Sequence, residues 1–140
     1  MNKENLIKPK PTDFVVLNDI QFTHADIFNV VDLFYKQVAQ DSMLKVPFAS
    51  VKNWPEHIER LTHFWWARFG GQPYLDVSYN PIQKHFEAGF NKDFLDHWLG
   101  LFHTTLQQCL AADQCDLWKN ISIRMGESLH FRNEMMNQRV

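Results

Sequence analysis

Cysteine is scarce in this chain: Cys109 and Cys115 are the only two in 140 residues, and neither sits in a C-x-x-C or C-x-x-C-H motif. That spacing excludes a zinc knuckle and a covalently tethered c-type cofactor, and predicts two reduced structural thiols in a cytoplasmic setting. A disulfide staple is not needed, because a chain of this length buries about 70% of the surface its unfolded form exposes. No apolar run approaches the ~18 residues of a membrane span. Met1-Asn2-Lys3-Glu4-Asn5 lacks the apolar core of a signal peptide, so the expectation is a cytoplasmic protein with no membrane partner. Excess charge of one sign is missing too. The net charge is −2 with histidine neutral, and the 14 Lys and Arg are scattered, which argues against nucleic acid.

Aromatic residues are plentiful instead. They make up 14% of the chain, with twelve Phe and five Trp, and there are seven His. Such an interior is either a tightly packed core or the wall around a large flat cofactor. Residues 1 to about 20 carry Pro9 and Pro11 without periodicity and read as a flexible N-terminal extension, leaving 21–137 as one folded domain. From there the spacing is helical, and no segment reads as a strand. Thr23 to Asp26 resembles a capping box. At about 100° per residue, Phe28, Val31, Phe34, Tyr35 and Val38 then share a face. Ser42 to Val51 is a corner. Asn53, Pro55 and Glu56 open the next helix, whose stripe is Trp54, His57, Leu61, Phe64, Trp65 and Arg68; Gly70-Gly71 stops it. Asn80-Pro81 begins a short segment that holds His85 and ends at Gly89. Asn91 caps a helix carrying Phe94, Leu95, Trp98, Phe102, Thr105, Leu106 and Cys109 on one face. A last helix after Asp113 buries Leu117, Ile121, Met125, Phe131 and Met135. The fold class is all-α.

The histidines do not form a familiar metal pair. His57 and His63 are six apart, as are His97 and His103, which leaves each pair about 120° apart on a helix. H-E-x-x-H is absent, and Glu127-x-x-His130 stands alone where a di-iron bundle needs two such motifs. Tyr35, His57 and Trp98, however, each put a polar atom on an apolar face. Either each satisfies a backbone carbonyl inside the core, or together they point a phenol, an imidazole and an indole N–H into one pocket.

Phe34-Tyr35, Pro47-Phe48, Trp54-Pro55-Glu56-His57, Phe64-Trp65, Pro81-x-x-x-His85 and Phe94-x-x-x-Trp98-Leu99-x-Leu101-Phe102 follow one another in this order. This series resembles the truncated globins, most of all their third group, over roughly residues 20 to 135. The resemblance implies two helix pairs crossed over each other (a two-over-two helical sandwich) enclosing haem b. It assigns His85 as the iron's protein ligand and Tyr35, His57 and Trp98 as the distal residues. Phe48, Leu61, Phe64, Trp65 and Phe94 would line the pocket, and Arg68 and Tyr74 would meet the propionates. Three roles stay open for His57: facing the bound ligand, swinging out as a gate, or binding the iron. The long stretch before residue 20 exceeds what the family's core requires.

The resemblance implies reversible binding of dioxygen or another diatomic gas, nitric oxide or carbon monoxide, at ferrous iron. Donors around a partly negative ligand would slow its release, and distal polarity decides between binding and activation. Nitric oxide dioxygenase or peroxidase-like chemistry is the enzymatic alternative. It would need a reductase, because the chain has no flavin or nicotinamide motif. A non-haem helical interaction module with a structural aromatic core is the third reading.

Overall fold

The computed structural model describes residues 6–49, 51–76 and 91–138, with side chains as far as 128. A hairpin of β1 (Phe14–Leu17) and β2 (Ile20–Thr23) precedes four helices: α1 (His24–Gln40), α2 (Trp54–Arg68), α3 (Lys92–Cys109) and α4 (Ala112–Gln138). The expectation that no strand occurs is therefore corrected, and residues 14–20, read as part of an extension, form β1, the turn and the first residue of β2. Asn18 and Asp19 both take positive φ, 51° and 63°, which gives the two-residue turn whose twist suits a hairpin. The antiparallel register sets Val15 opposite Phe22, and both face inward. Phe22 stacks on Phe69 at 4.9 Å and meets Trp118 edge-on at 5.9 Å.

Local chemistry explains each helix end. Thr23 accepts from the Asp26 N–H while Asp26 accepts from the Thr23 N–H, so the expected capping box opens α1. Asn53 and Asn91 accept from the third residue beyond them and cap α2 and α3. At the far end of α2, Gly70 has φ +101°; its N–H donates to the Ala67 carbonyl at 3.0 Å, and the Gly71 N–H to that of Trp66 at 2.9 Å. This is a Schellman ending, and the left-handed residue in it favours glycine.

α1 packs on α2 and on α3, and α3 packs on α4. The core between the two pairs is built of rings. Trp118 is wholly buried against Phe22, Trp65, Phe69 and Phe102, each pair adding about 0.5–1.5 kcal/mol beyond its buried area. Three expected core positions differ. Phe28 is 42% exposed, because the buried stripe of α1 centres on Ile27, Val31, Phe34 and Val38. In α4 the buried face runs through Cys115, Trp118, Ile121 and Ser122, with Leu117 and Met125 half-buried beside it. Phe131 and Met135 lie outside the described side chains.

Candidate functional site

The inward face of α1 presents Phe34 and Tyr35 side by side, and everything at the candidate site is placed from them. Tyr35 is 4% exposed. Its ring meets His57 of α2 edge-on at 5.3 Å, Phe48 of the corner at 5.8 Å and Trp54 at 6.2 Å. Phe34, one residue earlier, meets Trp98 of α3 edge-on at 5.1 Å. Trp98 in turn stacks on Phe102 at 4.9 Å. Three elements thus converge through one dipeptide, and two of the three expected distal residues share a direct ring contact. The third is reached through Phe34.

The corner carrying Phe48 is held by a residue that the spacing did not single out. One carboxylate oxygen of Asp41 accepts from the Met43 and Leu44 N–H groups at 3.0 and 2.9 Å, and the other faces His97 Nε2 at 2.8 Å. Burial pushes the Asp41 carboxyl up, but these donors outweigh it and hold the group below its ordinary value. The corner from Ser42 to Val51 was legible; Asp41 and its long-range partner His97 were not.

The remaining expected residues fall as follows. Leu61 is buried one turn beyond His57, Trp65 is 5% exposed, and Phe64 and Phe94 are half-buried against the core. Phe64 meets Trp65 at 5.4 Å, and Trp65 stacks on Phe102 at 6.0 Å. Arg68 is exposed in the last turn of α2. Tyr74, expected at a propionate, is instead buried with its hydroxyl engaged 2.8 Å from His24 Nε2. His85 lies outside the described residues.

A ring-walled region with few polar atoms is what a flat, largely apolar cofactor with a small polar ligand requires. His57 Nε2 and Trp98 Nε1 are both shut off from solvent inside such walls. Their donor chemistry fits a haem-bound diatomic better than it fits a hydrocarbon core, and the residues present therefore suit the group. Among the described residues no cluster of three or more His, Cys, Asp or Glu could hold a metal by itself. A separate cavity of about 600 Å³ lies elsewhere, between the N-terminal arm and the end of α2, lined in part by Lys8, Phe14 and Trp66.

Comparison with known proteins gives a family match and a structural likeness. The model of a family described as bacterial-like globin matches residues 20–130. The fold is similar to that in the crystal structure of a group III truncated hemoglobin from Campylobacter jejuni, with a TM-score of 0.72 and 20% sequence identity, over 79% of this chain and 91% of that one. No curated protein matches the chain in sequence. The family match sets aside the non-haem reading, and the fold is the truncated-globin one that the motif order resembles.

Proposed function

The chain belongs to the bacterial-like globin family, and from that premise we propose that it carries haem b between its two helix pairs and binds dioxygen reversibly at ferrous iron. The family itself supports a haem protein with a diatomic gas ligand; dioxygen and reversible carriage belong to the proposal. When bound, the haem supplies an iron with a position open to the gas. His85 is the proposed protein ligand, by its place in the Pro81-x-x-x-His85 motif. Tyr35 and Trp98 would donate to the partly negative ligand, and His57 would stand at its edge as a gate. Phe48, Leu61, Phe64, Trp65 and Phe94 would exclude water, and Arg68 would meet a propionate.

The observation that carries this reading is the buried His57 Nε2 and Trp98 Nε1 set among rings contributed by α1, the corner, α2 and α3. The same donors favour a second reading, in which the pocket activates an O–O bond or lets bound dioxygen oxidise nitric oxide, with electrons from a separate reductase. Absorption spectroscopy tests the shared premise. The purified chain is expected to show a Soret band, and His85→Ala to lose haem or to keep it only with added imidazole. An unchanged ferrous spectrum in His85→Ala would refute the ligand assignment. Nitric oxide consumption with a reductase present, compared with autoxidation, then separates enzyme from carrier.

A further inference from the structure

A second buried polar cluster lies on the other side of α2. Trp66 follows His57 by nine residues, about 180° round the helix, and there it meets His24 edge-on at 5.3 Å. The Tyr74 hydroxyl stands 2.8 Å from His24 Nε2, and these two residues are 5% and 6% exposed. His63 sets its ring edge-on to the same phenol at 4.8 Å, with its Nε2 buried and without a hydrogen-bond partner among the described residues. The charged groups acting on the cluster are Lys8 and Asp13 from the N-terminal arm and Glu59 from α2.

A phenol gives up an electron readily only when its proton leaves with it. Tyr74 cannot shed that proton beforehand: burial, and then Glu59, push its pKa up to about 12. His24 can take it. Burial, seconded by Lys8, holds the imidazole below its ordinary value and hence neutral, with a lone pair free in the tautomer protonated at Nδ1, while Asp13 favours the imidazolium once formed. Trp66 makes a contrast, since its indole N–H donates to the Gln72 carbonyl at 3.2 Å, a group that does not accept a proton.

We infer that Tyr74 and His24 form a proton-coupled one-electron oxidation site that delivers an electron to the haem when peroxide has oxidised it. The phenolic O–H bond breaks, the proton moves to His24 Nε2, and the electron leaves, so a neutral phenoxyl and an imidazolium remain. Reduction of one hydrogen peroxide to two waters takes two electrons and two protons. One electron comes from the haem and one from Tyr74, and both protons come from solvent. Trp65, assigned to the pocket wall, is the residue next to Trp66, so a single peptide unit joins the pocket to the cluster. The inference rests on the haem reading above.

The test mixes the haem-loaded ferric chain with hydrogen peroxide, freezes it rapidly and reads the radical by electron paramagnetic resonance. A tyrosyl signal is expected, and Tyr74→Phe should lower it about tenfold or more. His24→Gln is the deciding variant, because its amide oxygen still accepts the phenolic hydrogen bond but takes no proton. It should match the parent in Soret band and melting temperature while the radical forms about tenfold more slowly. Parental radical yield and rate in either variant overturns the inference. If no Soret band develops, the haem reading has failed separately. Pulse radiolysis with azide radical then examines the pair directly, since indolyl radicals made in the chain should pass to Tyr74 and do so more slowly in His24→Gln. Indolyl decay without growth of a tyrosyl absorption overturns the pair as well.

Discussion

Gly71→Ala is expected to destabilise the protein by an amount that follows from one contact. An alanine Cβ there would lie 2.6 Å from Cδ1 of Trp66 and closer still to its Nε1 and Cε2. Ordinary carbon contacts are about 3.5–4.0 Å, so the indole must retreat by about 1 Å. It has nowhere easy to go, being 5% exposed with the His24 ring against it. Retreat also breaks its hydrogen bond to the Gln72 carbonyl, worth about 0.5–1.5 kcal/mol. Overpacking adds about 1–3 kcal/mol, for a total of roughly 2–4 kcal/mol. For a chain of this size that lowers the melting temperature by about 6–16 °C.

The control is the same substitution at Gly100, inside α3, where nothing lies within 4 Å of the added carbon. Removing a helical glycine there should stabilise by about 0.5–1 kcal/mol. Gly126→Ala falls between them: the nearest atoms, 3.3 Å away, are the movable ends of Leu95 and Leu99, so helix propensity and crowding nearly cancel. Thermal melts at matched haem loading decide the matter, since a bound ligand raises the apparent stability of every variant. A Gly71→Ala melt within about 2 °C of the parent would refute the reasoning.

In the proposed pocket, Tyr35→Phe or Trp98→Phe should each speed dioxygen dissociation about ten- to a hundred-fold, from about 1.5–3 kcal/mol per hydrogen bond to a partly charged ligand. Carbon monoxide release should respond several-fold less in stopped flow, and equal small changes for both gases would remove the distal-donor mechanism. His57→Ala should speed ligand association more than dissociation, and unchanged association rates by flash photolysis would end the gate assignment. Stability should fall as pH drops below 6.5, the ordinary histidine value, because burial holds His24, His63 and His103 below it and the unfolded chain then binds more protons than the folded one. Urea midpoints against pH test this, with a shallower slope expected in His63→Gln; the contribution of Asp41, whose carboxyl is held below 3.8, is lost only at lower pH.

The helix ends were legible because each depends on a few neighbours. Thr23 with Asp26, Asn53 with Glu56 and Gly70-Gly71 act within six residues, and the structure uses all three as the spacing predicts. The hairpin was equally local and was passed over. Phe14 to Leu17 and Ile20 to Thr23 are two β-prone runs separated by Asn18-Asp19, residue types that tolerate positive φ. The alternation is masked because Val15 and Val16 are both apolar although only Val15 is buried. The candidate pocket was half legible. Helical stripes put Tyr35, His57 and Trp98 on buried faces, but the contact that gathers them passes through Phe34, and no period within one helix reveals a partner on another.

The missed cluster follows from a single stripe on α2 and from the missed hairpin together. A single-stripe reading treats α2 as a helix buried on one side, with Trp54, His57, Leu61, Phe64 and Trp65 inward. In the structure Ile58, Thr62, His63 and Trp66 are buried too. That second face needs a cover, and the cover is supplied by His24, directly after β2, and by Tyr74, just after the Schellman ending. Asp13, next to β1, accepts from the His24 backbone N–H at 2.7 Å and ties the arm to the start of α1. Without strands before residue 24 there is nothing to fix that corner, and His24, His63 and Tyr74 read as separate side chains. With the hairpin present, the same residues become one buried unit. α2 then divides two polar groups, the proposed gas-binding pocket on one face and the Tyr74–His24 pair on the other.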